Sequence, residues 1–171
     1  MEKWINRKFK FEFSENDYPH LISRLKDAVP HLHNLLGKLD PEILRLRDEG
    51  KWSIQENVGH LYDADTLFMG RLEDYLNGLD SLRPADLSGQ KTHDSDFNSQ
   101  TISEILNKFQ ERRQVFIGKL EKLDPSIFGR SAYHPRLKKQ MRLCDMLYFQ
   151  AEHDDYHIKR IGELITKFAA V

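Results

Sequence analysis

The sequence predicts an all-α fold, a four-helix bundle, on three observations. Four long stretches repeat apolar side chains at helical spacing. Two of them open on residue pairs with capping-box spacing, Ser53 with Glu56 and Thr101 with Glu104. Neither an internal repeat nor a series of alternating strands competes with that pattern. At 171 residues the chain fits one domain spanning 1–171. A chain of that length buries roughly two-thirds of its unfolded surface and needs no covalent staples to hold a core.

Residues 1–16 read as an extended arm. Phe9, Phe11 and Phe13 alternate with charged residues, so one face can rest on the protein, as a lone strand or an unpaired arm. The helical bundle then covers about 17–168. Its first helix opens near Asp17 or Tyr18 with Pro19 tolerated in the first turn, and carries Leu21, Leu25, Leu32, Leu35, Leu36 and Leu39. Pro30 is expected to kink or break it. After the connection DPEILRLRDEGK, a second helix runs from Ser53 to about Asn77, with Ile54, Val58, Leu61, Phe68, Leu72 and Tyr75 on its core side and Gly78 as a stop. The segment 79–100, punctuated by Pro84, Gly89, Asp94 and Asn98, is a long polar loop of the kind that shapes sites. The third helix starts at Thr101 and continues through Ile105, Phe109, Phe116, Leu120 and Leu123. A second irregular stretch, DPSIFGRSAYHPRLKK, leads to the fourth helix over 140–168. Because these connections differ so much in length, an up-down-up-down order is not forced.

Composition narrows the function. Lys plus Arg number 26 against 27 Asp plus Glu, a net charge of −1, so there is no overall field to hold a nucleic acid. The single cysteine, Cys144, rules out a disulfide framework and any multi-cysteine metal site. No long apolar run and no leader-like segment is present, so the sequence predicts a soluble, cytoplasmic protein with no membrane partner.

In the fourth helix, AEHDDYHIKRI sets His153 and His157 four residues apart, so their imidazoles leave one face about a turn apart. That spacing chelates metals. The face continues through Met146, Gln150, Ile161, Leu164 and Phe168, which is the apolar stripe of the helix, so two histidines interrupt a core stripe. Buried histidines hydrogen-bonded to nearby carbonyls give the same pattern, and only a third ligand on a facing helix separates the two readings. His60 qualifies: it shares a stripe of the second helix with Asn57, Ala64, Leu67 and Arg71, and the small Ala64 leaves room beside it. Taken alone, His60 fits a satisfied core histidine as well. His31 and His33 cannot share a helix face, His20 lies at a helix start, and His93 falls in a loop. His134, in the HPR segment before the fourth helix, is a candidate pocket residue.

These motifs resemble the DinB/YfiT-like superfamily of four-helix, metal-dependent proteins. KWSIQENVGHL is similar to its tryptophan, serine, glutamate and histidine signature at the start of the second helix, and YFQAEHDDYHIKRI to its carboxy-terminal HxxxH helix. Phe97 with Asn98 and the HPR segment fall at matching positions, and the resemblance spans essentially the whole chain. It implies His60, His153 and His157 as metal ligands, Trp52 as the residue packing at the helix entry, and Ser53 and Glu56 as its cap. It further implies one divalent transition metal ion per chain, Zn or Ni before Fe or Mn, and a homodimer. Thiol S-transfer of the bacillithiol type, thiol-dependent isomerisation and metal-dependent hydrolysis are the activities it suggests.

Three neutral imidazoles suit Zn, Ni, Cu or Fe and leave a coordination position open, the arrangement of catalytic rather than structural sites. An ion there can generate hydroxide from water or hold a thiol as thiolate. The sequence therefore predicts a metal-dependent enzyme that transfers a low-molecular-weight thiol to an electrophilic small molecule. Hydrolysis by activated water is the alternative, and a non-enzymatic metal-binding or sensing bundle is the third reading. A ferritin-like di-iron centre is excluded because no Glu-x-x-His pair occurs. Gln150 and Asn57, each one turn before a histidine, are pocket candidates. Asp154 and Asp155 are expected to be solvated, Glu152 to orient a histidine from outside, and Arg112 and Arg113 either to hold an anionic ligand or to form surface salt bridges.

Overall fold

In the computed structural model, which describes residues 2–169, the chain forms six α-helices and one small hairpin. In order these are α1 (Tyr18–Leu36), α2 (Pro41–Arg45), α3 (Ile54–Leu76), α4 (Gln90–Asp94), α5 (Ile102–Leu120), β1 (Ser131–His134), β2 (Lys139–Arg142) and α6 (Leu143–Phe168). Helices α3 and α5 begin where their caps sit. The hydroxyls of Ser53 and Thr101 accept the backbone N–H of Glu56 and Glu104, whose carboxylates accept the cap N–H in return. All six apolar residues expected on the core side of α3 are buried.

Several expectations change, and α1 and α5 end at Leu36 and Leu120, short of Leu39 and Leu123. Pro30 does not break α1, which runs through it as one helix. Pro30 is exposed, so the carbonyl it leaves unpaired, four residues back at Lys26, lies on the solvent side, where water can serve it. Helix α6 begins at Leu143 rather than 140, because residues 139–142 pair antiparallel with β1, Ser131 opposite Arg142 and His134 opposite Lys139. All-α is therefore only approximate. The long loop is also partly ordered from within: α4 and a 3-10 turn at Phe97–Ser99 lie inside it, and Leu82 and Phe97 are buried.

The four long helices pack in the ring α1–α5–α3–α6, so the first and second are not neighbours and the order is not up-down-up-down. This ring sets α3 directly against α6. Two apolar clusters fill the bundle, one holding Leu25, Phe68, Phe116 and Ala151, the other Val29, Leu61, Phe109 and Ile161. Between them lies a polar layer. Arg113 of α5 donates to Asp65 of α3 at 2.8 Å, to Asp154 of α6 at 2.7 Å and to the Leu25 carbonyl of α1 at 2.9 Å, joining all four helices. Among the described residues the arm has no ladder partner. Phe9 is buried against Phe149 and Trp4, and Phe11 and Phe13 pack on Tyr148. Among the described residues no helix is long and apolar enough to cross a membrane.

Candidate metal centre

Packing α3 against α6 brings His60 to His153 and His157: one nitrogen from each ring lies within 4.8 Å of the others. Nε2 of His60 stands 3.3 Å from Nε2 of His153. For Zn–N bonds of 2.0–2.1 Å at a tetrahedral angle, the separation between two ligand nitrogens is about 3.3–3.4 Å. The rings are also oriented. The amide of Asn57 donates to the carbonyls of Ser53 at 2.7 Å and Trp52 at 3.3 Å, which turns its Oδ1 toward His157 Nδ1 at 2.9 Å. His157 therefore donates from Nδ1 and keeps a lone pair on Nε2. Nδ1 of His60 meets the Thr92 hydroxyl of α4 at 3.1 Å, so the short helix in the long loop supplies the matching outer contact.

Burial keeps the cluster neutral. It pulls His60 down to about 4 and holds His153 and His157 well below the ordinary histidine range, where neighbouring rings, and for His153 also Arg113 and Arg136, oppose added positive charge too. Neutral imidazoles, two of them with Nδ1 tied outward and the third, His153, with Nδ1 buried and unpartnered, are a donor set that suits a divalent transition ion, so the residues present fit one. A direct hydrogen bond between His60 and His153 would account for their spacing alone; it gives the Nε2 lone pair of His157 no role.

The cluster opens into a cavity of about 870 Å³, within the usual range for small-molecule sites. The whole α3 stripe Asn57, His60, Ala64, Leu67 and Arg71 lines it. Trp52 lies over His60 with ring centres 4.6 Å apart, and Trp4 of the arm meets His153 edge-on at 5.1 Å. Gly59 has no room for a side chain, since a Cβ there would come within 2.2 Å of the Phe97 ring, so the long loop seats directly on α3 one residue before His60.

Not every expected residue reaches this cavity. Asn57 and His134 line it. Gln150 is fully buried and donates to Asp65 at 2.9 Å, in the polar layer. Asp154 is not solvated: it is buried on Arg113, because the bundle interior at that level is polar. Arg113 is consequently no surface residue and no ligand anchor, and Arg112 caps the Tyr62 ring at 3.8 Å beside a separate groove. Glu152 pairs with Arg7 and Arg24 rather than with a histidine, and Asp155, exposed as expected, also meets Arg24. Residues that sequence reasoning passed over also line the cavity, among them Trp4, Asp63, Thr92 and Arg136. Only Asp63, three residues after His60 on the same helix, offered a readable signal.

A helical bundle whose facing helices bring three imidazoles together beside a cavity has the donor arrangement that metal-site bundles use. The chain belongs to the DinB superfamily, whose family model matches residues 24–161. No curated protein matches its sequence. Among solved structures it is similar to YfiT from Bacillus subtilis, described as a probable metal-dependent hydrolase with an unusual four-helix-bundle topology, at 23% identity and a TM-score of 0.81 over 95% of this chain and 94% of that one. A mycothiol-dependent maleylpyruvate isomerase aligns at 8% identity and a TM-score of 0.69, over 88% of this chain and 63% of its own. A protein from Streptococcus pneumoniae aligns at 12% identity and a TM-score of 0.63, over 95% and 93%. At these identities the likeness is one of fold.

Proposed function

We propose that this protein is a metal-dependent enzyme that transfers a low-molecular-weight thiol to an electrophilic small molecule, with His60, His153 and His157 as the metal ligands. The observation that carries this reading is the set of three neutral, inward-facing imidazoles opening into a cavity large enough for two small reactants. A divalent ion bound there, Zn or Ni by ligand type, supplies positive charge that stabilises a thiolate, the nucleophilic form. The thiol has to come from outside. Cys144 is fully buried in the apolar core, and burial pushes its own thiol up to about 12. Asn57 and Thr92 hold two of the rings in place, while Trp4, Trp52, Phe68 and Phe149 keep water from the reacting atoms. The mycothiol-dependent isomerase among the structural relatives is in keeping with such chemistry.

Hydrolysis is a second reading, and Asp63 favours it. This carboxylate lines the cavity three residues from His60, one oxygen 3.3 Å from Lys91 and the other buried without a partner, placed to take a proton from an attacking water. The two readings separate in one assay. Metal-loaded protein is incubated with a generic electrophile, with and without a panel of small thiols, beside H157A. Thiol-dependent turnover lost in H157A supports transfer, thiol-independent turnover lost in D63N supports hydrolysis, and metal binding unaffected by substitution of any of the three histidines sinks the site.

A further inference from the structure

We infer that Arg71, Arg136 and His134 form a subsite for a carboxylate carried by the small molecule that occupies the metal cavity, an inference that rests on reading that cavity as a thiol-transfer site. All three line the cavity. Arg71 is 1% exposed, yet no carboxylate among the described residues pairs with it. Its Nε donates to the Arg83 carbonyl at 3.1 Å, and Asp74, one turn along α3, is engaged by Arg83 through backbone and guanidinium. Arg136 lies over the Phe149 ring at 5.4 Å, reaches only the Ile5 carbonyl at 3.4 Å, and keeps Nη2 buried without a partner. His134, 1% exposed, accepts the Leu137 N–H at its Nδ1, so the proton sits on Nε2, which is buried and also unpartnered.

These groups are close enough to feel one another. The charge of Arg136 weighs on Arg71, and both weigh on His134, whose imidazole burial already holds near 4 and therefore in its neutral, donating form. Phe149, one turn before His153 on α6, lies against both His134 at 5.5 Å and Arg136 at 5.4 Å, which sets the subsite beside the metal ligands. A buried guanidinium and a half-buried one, both without counter-charge, are costly to hold together, and an anion that enters between them offsets the cost. Each guanidinium fork matches the two oxygens of a carboxylate, and the neutral N–H of His134 adds a third direction of donation. Apolar walls at Leu67, Phe68 and Phe149 favour a small organic acid over a multiply charged phosphate.

The test is calorimetric titration of metal-loaded protein with 3-mercaptopropionate, its neutral amide, and butyrate. The carboxylate thiol should bind about tenfold tighter than the amide, and R136Q should erase that difference without changing metal content or affinity for the amide. Arg136 is half-buried at the hairpin turn, so R136Q leaves the bundle core intact; H134Q, expected to lose part of the preference, reports if R136Q fails to fold. Equal affinity for acid and amide in the parent protein overturns the subsite, as does a preference that survives both substitutions. If butyrate binds as tightly as mercaptopropionate and R136Q weakens both, the carboxylate subsite stands and the thiol reading falls.

Discussion

His157 shows how one side chain prepares another. Asn57 is held by two backbone carbonyls at the start of α3, so its oxygen faces His157 Nδ1 and sets both tautomer and ring direction. Replacing Asn57 with Ala removes that constraint and leaves the three ligands in place. Metal affinity should fall about 10- to 100-fold, measured by competition with a coloured chelator, while the fold by circular dichroism stays unchanged. Unaltered affinity would make the contact incidental. The three histidines and Asn57 were legible in the sequence because helical spacing fixes which face each leaves. Thr92 was not, since a hydroxyl in a polar loop carries no periodic signal. Asp154 misled for a related reason: it sits one residue off the histidine stripe, where charge suggests solvent, and nothing in its own helix shows that Arg113 of α5 waits there.

At the scale of the element, α6 presents the histidines to the cavity and Asp154 to the interior node with Asp65 and Arg113. Burial pushes Asp154 up to about 6 even against the guanidinium, because two carboxylates share one positive charge at a level closed to water. Removing Arg113 leaves both carboxylates buried and uncompensated. R113M should therefore destabilise the protein by about 3–5 kcal/mol, read from urea denaturation at pH 7. Replacing Asp65 and Asp154 by Leu in the same chain should recover most of that loss. A single R113M variant as stable as the parent would mean that the node carries no net role in holding the helices. The starts of α3 and α5 were readable to the residue, their capping boxes being local chemistry, whereas α5 ends at Leu120, short of the expected Leu123. The start of α6 was not, since the pairing that holds 139–142 as a strand comes from residues earlier in the chain.

At the scale of the whole molecule, the ring order α1–α5–α3–α6 is what makes a site at all: an up-down-up-down bundle need not set the His60 helix beside the HxxxH helix. Loop lengths left that order open, so the sequence showed which faces were apolar but not which faces meet. If the cluster holds the ion proposed for it, the stability of the fold is tied to that metal. The three rings converge only in the folded chain, so an ion bound there stabilises it, by about 2.7 kcal/mol at a free concentration 100 times the dissociation constant. For a chain of this size each kcal/mol raises the midpoint by about 2–4 °C. Chelation should then lower the thermal midpoint by about 5–10 °C, and H153A should melt at one temperature with or without metal. Acid acts in the same direction. An unfolded histidine takes a proton near 6.5, whereas burial lets His60 in the fold do so only near 4 and holds His153 and His157 well below 6.5 as well. Between those values the unfolded chain binds more protons, so lowering the pH from 6.5 favours unfolding, by up to about 1.4 kcal/mol per pH unit for each such histidine. The metal-free protein should lose stability steadily from pH 6.5 toward 4.5, and more gently in H60Q. A midpoint indifferent to both chelator and pH in this window would show that the imidazoles neither hold an ion nor stay neutral.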